Sequence, residues 1–164
     1  DNGGAAISSY YVWFGTASGN WRLAAPAGAL SSYTITGLAK HTAYTVYLVA
    51  SNGTLTSPLA NGSATTASTV AGAPAKPVLT AGVKKITVKW AAPADNGGRT
   101  ITAYRIQRST NGTTWTTLTS AGSAATRTYV ATGLTTGTKY YFRVAAINSV
   151  GVGTYSAANS VKAG

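Results

Sequence analysis

Apolar and polar residues alternate along most of this chain. Ile86, Val88 and Trp90 share one parity, and Lys85, Thr87 and Lys89 share the other. Tyr140, Phe142, Val144 and Ala146 alternate in the same way with Lys139, Tyr141, Arg143 and Ala145. A period of two with one polar face describes strands that cover a core on one side. Helical periodicity is missing. Turn residues punctuate the pattern at short intervals: Asn96-Gly97-Gly98, Asn111-Gly112, Gly133, Gly137, and Gly151 with Gly153. Asn-Gly suits tight hairpin turns because both residues tolerate positive φ. Short strands so punctuated predict an antiparallel sandwich or barrel.

The pattern occurs twice. Asp1-Asn2-Gly3-Gly4 returns as Asp95-Asn96-Gly97-Gly98. Ile7, Tyr10, Val12 and Trp21 meet Ile101, Tyr104, Ile106 and Trp115 at one constant offset. After a slip of two residues, Tyr33, Leu38, Tyr44, Val46, Leu48 and Asn52 meet Tyr129, Leu134, Tyr140, Phe142, Val144 and Asn148. The period is domain-sized, so the chain is a tandem of one module rather than a solenoid. The expected modules are residues 1–70 and 71–164. In the second, strands are expected over 77–81, 84–91, 101–109, 114–120, 126–132, 138–148 and 155–162. The first offers only the later ones, over 7–15, 20–25, 31–36, 42–52 and 56–66. Residues 66–77, small and twice interrupted by proline, read as a short, semi-stiff linker.

Composition narrows the function. Apolar residues make up 45% of 164, enough for real cores, and no apolar run nears the roughly 20 residues of a membrane helix. Membrane insertion is therefore not expected. Without an initiator Met or a signal peptide, the chain reads as a mature or excised stretch of something longer. Cysteine is absent, which removes disulfides and thiolate chemistry. Thirteen Lys and Arg face two acids, and only Arg22 and Lys40 of the thirteen precede residue 71. Such a balance favours polyanionic partners through long-range attraction.

The second copy resembles the fibronectin type III domain. Its landmarks occur in order: a proline-rich entry from Pro74 to Pro77, Trp90 followed by Pro93, Gly97-Gly98, and Tyr104 with Ile106. The run from Gly133-Leu134 to Tyr140 looks like the corner before the sixth strand, Phe142 to Asn148 like that strand, and Gly153 to Ser156 like the last. The resemblance implies an all-β fold of two immunoglobulin-like sandwiches in tandem, with Trp90, Leu134 and Tyr140 as core landmarks and Leu38 and Tyr44 as their counterparts. The first copy lacks the two N-terminal strands. The style, with abundant Ala and Thr, looks like bacterial secreted proteins or their phages.

Catalytic groups are scarce. Glycoside hydrolysis needs two nearby carboxylates, and Asp1 and Asp95 fall in different modules. His41 is the only histidine, so neither a nucleophilic triad nor a zinc site is expected. Calcium would need more oxygen ligands with charge. No catalytic residue, metal or cofactor is expected. Three Asn-x-Ser/Thr sequons, at Asn52, Asn61 and Asn111, read as turn residues.

What remains is a face. If the third and sixth strands of the second module are neighbours, Arg105 is expected opposite Arg143, with Lys139, Tyr141 and Gln107 nearby and no acid to offset the charge. An anionic partner would offset it. The expected function is a non-catalytic spacer and adhesion module of a larger secreted or surface protein. The alternatives are a structural or decoration module of a phage virion or surface filament, and an accessory module of a polysaccharide-degrading enzyme. Expected partners are a protein or an acidic polysaccharide surface. Nucleic acid is not expected, since only Tyr141 offers a stacking platform beside the charge. Upstream strands of the parent chain, or a donated strand, are expected to complete the first module, because its inward residues would otherwise stay wet.

Overall fold

A computed structural model describes residues 4–28, 31–119 and 123–164, and the chain divides into two compact units, Asp1–Ala67 and Ser68–Gly164. Among the described residues every regular element is a strand.

The first unit is one antiparallel sheet. Its strands are β1 (Ser9–Gly15), β2 (Arg22–Gly28), β3 (Ala43–Ser51) and β4 (Ala60–Thr65), in the order β2-β1-β3-β4. Alternation sets the two faces. Tyr10, Val12 and Phe14 of β1 share a side with Val46 and Leu48 of β3, since Val12 pairs Leu48 and Phe14 pairs Val46. Tyr11 and Trp13 point the other way, with Trp13 opposite Tyr47.

The strand expected over residues 31–36 does not form; the described part of that segment runs as irregular chain. Its counterpart in the second unit is held by a ladder to a neighbouring strand, and no such neighbour occurs among the described residues of the first unit. Backbone groups without a ladder partner turn elsewhere. The segment is instead tied to the sheet by the Tyr33 hydroxyl, which donates to Ala24 O at 2.6 Å. Between it and the sheet lies a cleft of about 540 Å³ lined by Tyr10, Val12, Tyr33, Ile35, Val46 and Leu48.

The second unit has two sheets. One is β5 (Val78–Gly82), β6 (Lys85–Lys89) and β9 (Thr128–Thr132), in the order β5-β6-β9. The other holds β7 (Ala103–Ser109), β8 (Thr116–Thr119), β10 (Lys139–Asn148), β11 (Gly151–Tyr155) and β12 (Asn159–Lys162), in the order β11-β10-β7-β8 with β12 also on β10. Ile86, Val88, Tyr104, Ile106, Phe142 and Val144 form one core between them, each at most 2% exposed. Burying large apolar side chains is worth on the order of 1.5–3 kcal/mol each, so this layer dominates the unit's stability.

Two expectations are corrected here. The last strand, expected as one run over 155–162, is two. β11 pairs the C-terminal half of β10 and β12 the N-terminal half. Ser156 fills the break: its N–H donates to Val144 O at 2.8 Å and its hydroxyl accepts from Val144 N at 3.1 Å. The side chain thus replaces a ladder bond, so pairing crosses the gap without a continuous strand.

The expected linker is also not free from Ser68 onward. Thr69 N donates to Gly97 O, Gly72 N to Asp95 O, and Thr154 N to Ala71 O, and Ala71 is 1% exposed. The small residues that read as linker composition are those that let backbones touch. A Cβ on Gly97 would collide with Thr69 O, and one on Gly153 with Ala71 O. Gly97 also holds φ at +74°, a region costly for other residues. Asp95 Oδ1 accepts from Gly97 N at 2.8 Å, which sets this turn. The first Asp-Asn-Gly lies outside the described residues.

Candidate binding face

The core landmarks take these places. Leu134 is 2% exposed, Tyr140 7% and Trp90 8%. The Tyr140 hydroxyl accepts from Thr135 N at 3.2 Å, and in the first unit the Tyr44 hydroxyl accepts from Ala39 N at 3.1 Å. The Thr135 bond holds the Tyr140 phenol below its ordinary pKa. Leu38 and Tyr44 are only half-buried, unlike Leu134 and Tyr140. Asn52 and Asn111 sit in turns, each Oδ1 accepting two backbone N–H groups. Asn61, expected in a turn, lies in β4 opposite Tyr47.

The outer face of β10 and β7 carries the cations. Ladder pairs point the same way, so Tyr141, Arg143 and Ala145 share a side with Ser109, Gln107 and Arg105. The expected juxtaposition of Arg105 and Arg143 is off by one pair. Arg143 faces Gln107, and Arg105 faces Ala145. Parity fixes which side a residue faces, but the partner across the ladder depends on where the strands start to pair. This register avoids the direct like-charge contact, which would have cost up to about 1 kcal/mol.

Arg143 is held in place. Its Nε donates to Gln107 Oε1 at 2.9 Å, and Gln107 Nε2 donates to Thr117 Oγ1 at 3.1 Å. Its guanidinium carbon lies 4.2 Å from the Trp115 ring centroid and 4.3 Å from that of Tyr155. Cation–π contacts are worth about 0.5–1 kcal/mol each at exposed sites and about 2 when desolvated, and Arg143 is half-buried. Lys139 Nζ lies 5.2 Å over the Tyr141 ring. Arg105 Nε is buried with no hydrogen-bond partner among the described residues. Parity could have put Tyr155 on the side of Arg143, since it pairs Ala145; Trp115 lies in the loop before β8, where parity gives no side.

Chemically this face can present positive charge between aromatic rings. Among the described residues no group of three or more His, Asp, Glu or Cys comes together. His41 occupies a turn at φ +48°, its N–H donating to Ala67 O. Among the described residues no helix is long and apolar enough to cross a membrane.

Comparison with known proteins places this geometry. A fibronectin type III domain model matches residues 73–162. The chain is 32% identical to Exoglucanase B of Cellulomonas fimi over 97% of its own length and 14% of that protein. It is 34% identical to titin of Drosophila melanogaster over 79 residues, 48% of this chain and a share of titin that rounds to 0%. The chain thus spans a small part of the curated relatives it matches. A two-domain fibronectin type III segment of chicken tenascin covers 97% of this chain and is itself covered to 86%, at 20% identity and a TM-score of 0.51, a likeness of fold alone. Titin kinase with its flanking domains covers 57% of this chain and is covered to 17%, at 26% identity and a TM-score of 0.51. With a non-catalytic module type matched over more than half its length, on an all-β frame of tandem sandwich type, the chain belongs to the fibronectin type III family.

Proposed function

We propose that this chain is a non-catalytic spacer and binding segment of a larger secreted or surface protein, with module boundaries near residue 70. The observation that carries this is the alignment with Exoglucanase B, which takes in nearly the whole chain and only 14% of that protein. A segment so placed is one module group within a longer polypeptide. The favoured setting is an accessory segment of a polysaccharide-degrading enzyme, outside the cell, in keeping with the bacterial style of the sequence. Arg105, Lys139, Tyr141 and Arg143 form its contact with an acidic polysaccharide or an acidic protein. The isolated chain should bind acidic polysaccharide with an affinity that falls steeply with salt, because exposed charges are screened over about 8–10 Å. The Arg105→Ala, Lys139→Ala, Arg143→Ala triple variant should lose that binding. Turnover of any polysaccharide by the isolated chain would overturn the non-catalytic reading.

A second reading is favoured by the open inner face of the first unit. Leu48 is 38% exposed and Tyr33 42%, whereas their counterparts Val144 and Tyr129 are buried and half-buried in the second unit. In the second unit Ile86, Val88 and Trp90 cover that core. Strands from outside residues 1–164, upstream in the parent chain or donated by another molecule, cover the equivalent face here. Donation between molecules is the setting of a virion or filament module. Hydrogen exchange of the full-length parent protein tests this: β1 and β3 should be far better protected there than in residues 1–164 alone.

A further inference from the structure

We infer that the outer face of the first unit is a stacking platform for a neutral polysaccharide chain of the glucan class. This rests on the reading of the chain as a segment of a polysaccharide-active protein, and it adds a second, chemically different surface.

The platform is built by strand parity. Trp13 stands in the middle of a row across three strands, paired with Leu23 on β2 and Tyr47 on β3. Tyr11 is the next residue of the same parity on β1. Tyr11 is 36% exposed, Trp13 42%, Trp21 43% and Leu23 43%. Trp21 joins them from the loop before β2. Its ring occupies the space over Gly15, where an added Cβ would lie 2.8 Å from both Cδ2 and Cε3. The same ring sits 4.9 Å from that of Tyr47. A glycine at 15 therefore seats Trp21 down on the sheet beside Tyr47.

The second unit shows what this surface looks like when it is not such a platform. At the positions of Tyr11, Trp13, Gly15, Leu23 and Tyr47 it carries Arg105, Gln107, Ser109, Thr117 and Arg143. Only the tryptophan is retained, and Arg143 closes the face of Trp115. Solubility alone would be served by the polar version. Contiguous exposed apolar surface on an otherwise polar module marks an interaction site.

Charge selects the ligand. Among the described residues, the strand positions sharing this face carry no acidic or basic side chain. Arg22 pairs Phe14 and belongs to the opposite side. Beside the rings lie uncharged hydrogen-bonding groups: Asn61 faces Tyr47, and Ser63 faces Thr45. A row of exposed rings, with the Trp21 and Tyr47 planes tilted by 45° to each other, edged by hydroxyls and an amide, complements a ligand that is apolar on its faces, hydroxylated at its edges and uncharged. A neutral sugar chain has that character, and a polyanion or a basic peptide does not. The similarity to Exoglucanase B points to a glucan.

The test uses the chain of residues 1–164, insoluble cellulose, and a soluble neutral β-glucan. The wild type should be retained by both, and retention should persist at about 1 M NaCl, where charge contacts are screened. Trp13→Ala and Trp21→Ala should each weaken it by about tenfold, as loss of an aromatic anchor does. Trp13→Tyr should keep most of it, and Lys85→Ala with Lys89→Ala, exposed on the other sheet of the second unit, should leave it unchanged. Retention unaffected in the Trp13→Ala, Trp21→Ala double variant overturns the proposal. So does a wild type not retained at all, whether or not hydrogen exchange finds β1 and β3 protected. A dimer that Trp13→Ala converts to monomer also overturns it, since the face is then covered by a second copy. If the chain binds only acidic polysaccharide, and loses it in the Arg105, Lys139, Arg143 triple variant, this inference fails while the binding-segment reading stands. If it binds no polysaccharide of either kind, this inference fails together with the polysaccharide contact proposed for the second unit, and the spacer reading stands.

Discussion

Asn148 is the place where removing one small side chain should do most damage to the second unit. It is 4% exposed at the end of β10. Its Nδ2 donates to Thr69 O and Asn96 O, both at 2.9 Å. Its Oδ1 accepts from Val150 N at 3.0 Å and Gly151 N at 3.2 Å. One amide thus joins the entering segment before β5, the Asp95–Gly98 turn and the β10–β11 turn. Each such bond is worth about 0.5–1.5 kcal/mol net, and a buried group left unpaired costs more. Asn148→Ala should therefore destabilise the unit by roughly 3–4 kcal/mol, a large share of the about 5–15 kcal/mol that holds a domain together. For a domain of this size that lowers Tm by about 12–30 °C. Asn148→Asp keeps the acceptor but exchanges both donors for a carboxylate against two carbonyls, and should be at least as damaging. Urea titration of residues 68–164, followed by tryptophan fluorescence, gives the free energy. Amide exchange at Val150 and Gly151 shows whether the turn has let go. A loss under about 1 kcal/mol in Asn148→Ala, with both amides still protected, would refute the assignment of this residue as the clasp.

Residues 68–164 should unfold cooperatively, and a fragment starting at 74 should be clearly less stable, since it loses buried Ala71 and the Gly72–Asp95 bond; equal urea midpoints would contradict this. Trp90→Ala should cost about 3–5 kcal/mol, as large buried aromatics do, read from the same urea titration. Gly97→Ala should destabilise by more than the about 1 kcal/mol of an ordinary glycine substitution, because its Cβ meets backbone atoms that cannot move aside; melting temperatures decide. Burial pushes the Tyr104 phenol up, and nearby Arg127 offsets this only in part. The unfolded chain therefore ionises first, and the unit should lose stability as pH rises above about 10. Tyr104→Phe should flatten that alkaline decline, and an unchanged pH profile would exclude Tyr104 as its source.

Where the sequence failed, it failed on pairing rather than on faces. Alternation put Ile86 and Val88 of β6 on one side with Trp90 just beyond it, and they lie in the core. It could not say that Arg105 pairs Ala145, because register is set by turn geometry as well as by pattern. Tyr33 and Ile35 alternate as well as any strand, yet their segment forms none. A strand is a relation between two segments, and alternation describes only one. Ser156 sits inside an alternating run and breaks it by using its own side chain in place of a ladder bond. The segment from Ser68 misled most. Ala, Gly and Ser are the composition of a flexible connection and equally of close backbone packing. The glycines at 97 and 153, across from Thr69 and Ala71, distinguish the two.

The two units also show where a repeated fold is free to diverge. Several inward positions keep their chemistry across the repeat, as Tyr10 and Tyr104, Val12 and Ile106, and Tyr44 and Tyr140 do, whereas Phe14 gives way to Arg108 at the end of the strand. A close-packed interior resists changes of even one methylene, so those positions cannot carry much variation. Outward positions on the same strands pay no such penalty. Tyr11 against Arg105 and Tyr47 against Arg143 turn one sheet face from aromatic and neutral to cationic without moving a strand. The tryptophan shared by both faces shows how little is needed. Trp21 rests on Gly15 with Tyr47 beside it, while Trp115 is capped by Arg143. A single residue, Tyr47 on β3 or Arg143 on β10, decides whether that ring meets solvent or a guanidinium, and with it the charge of whatever can dock there.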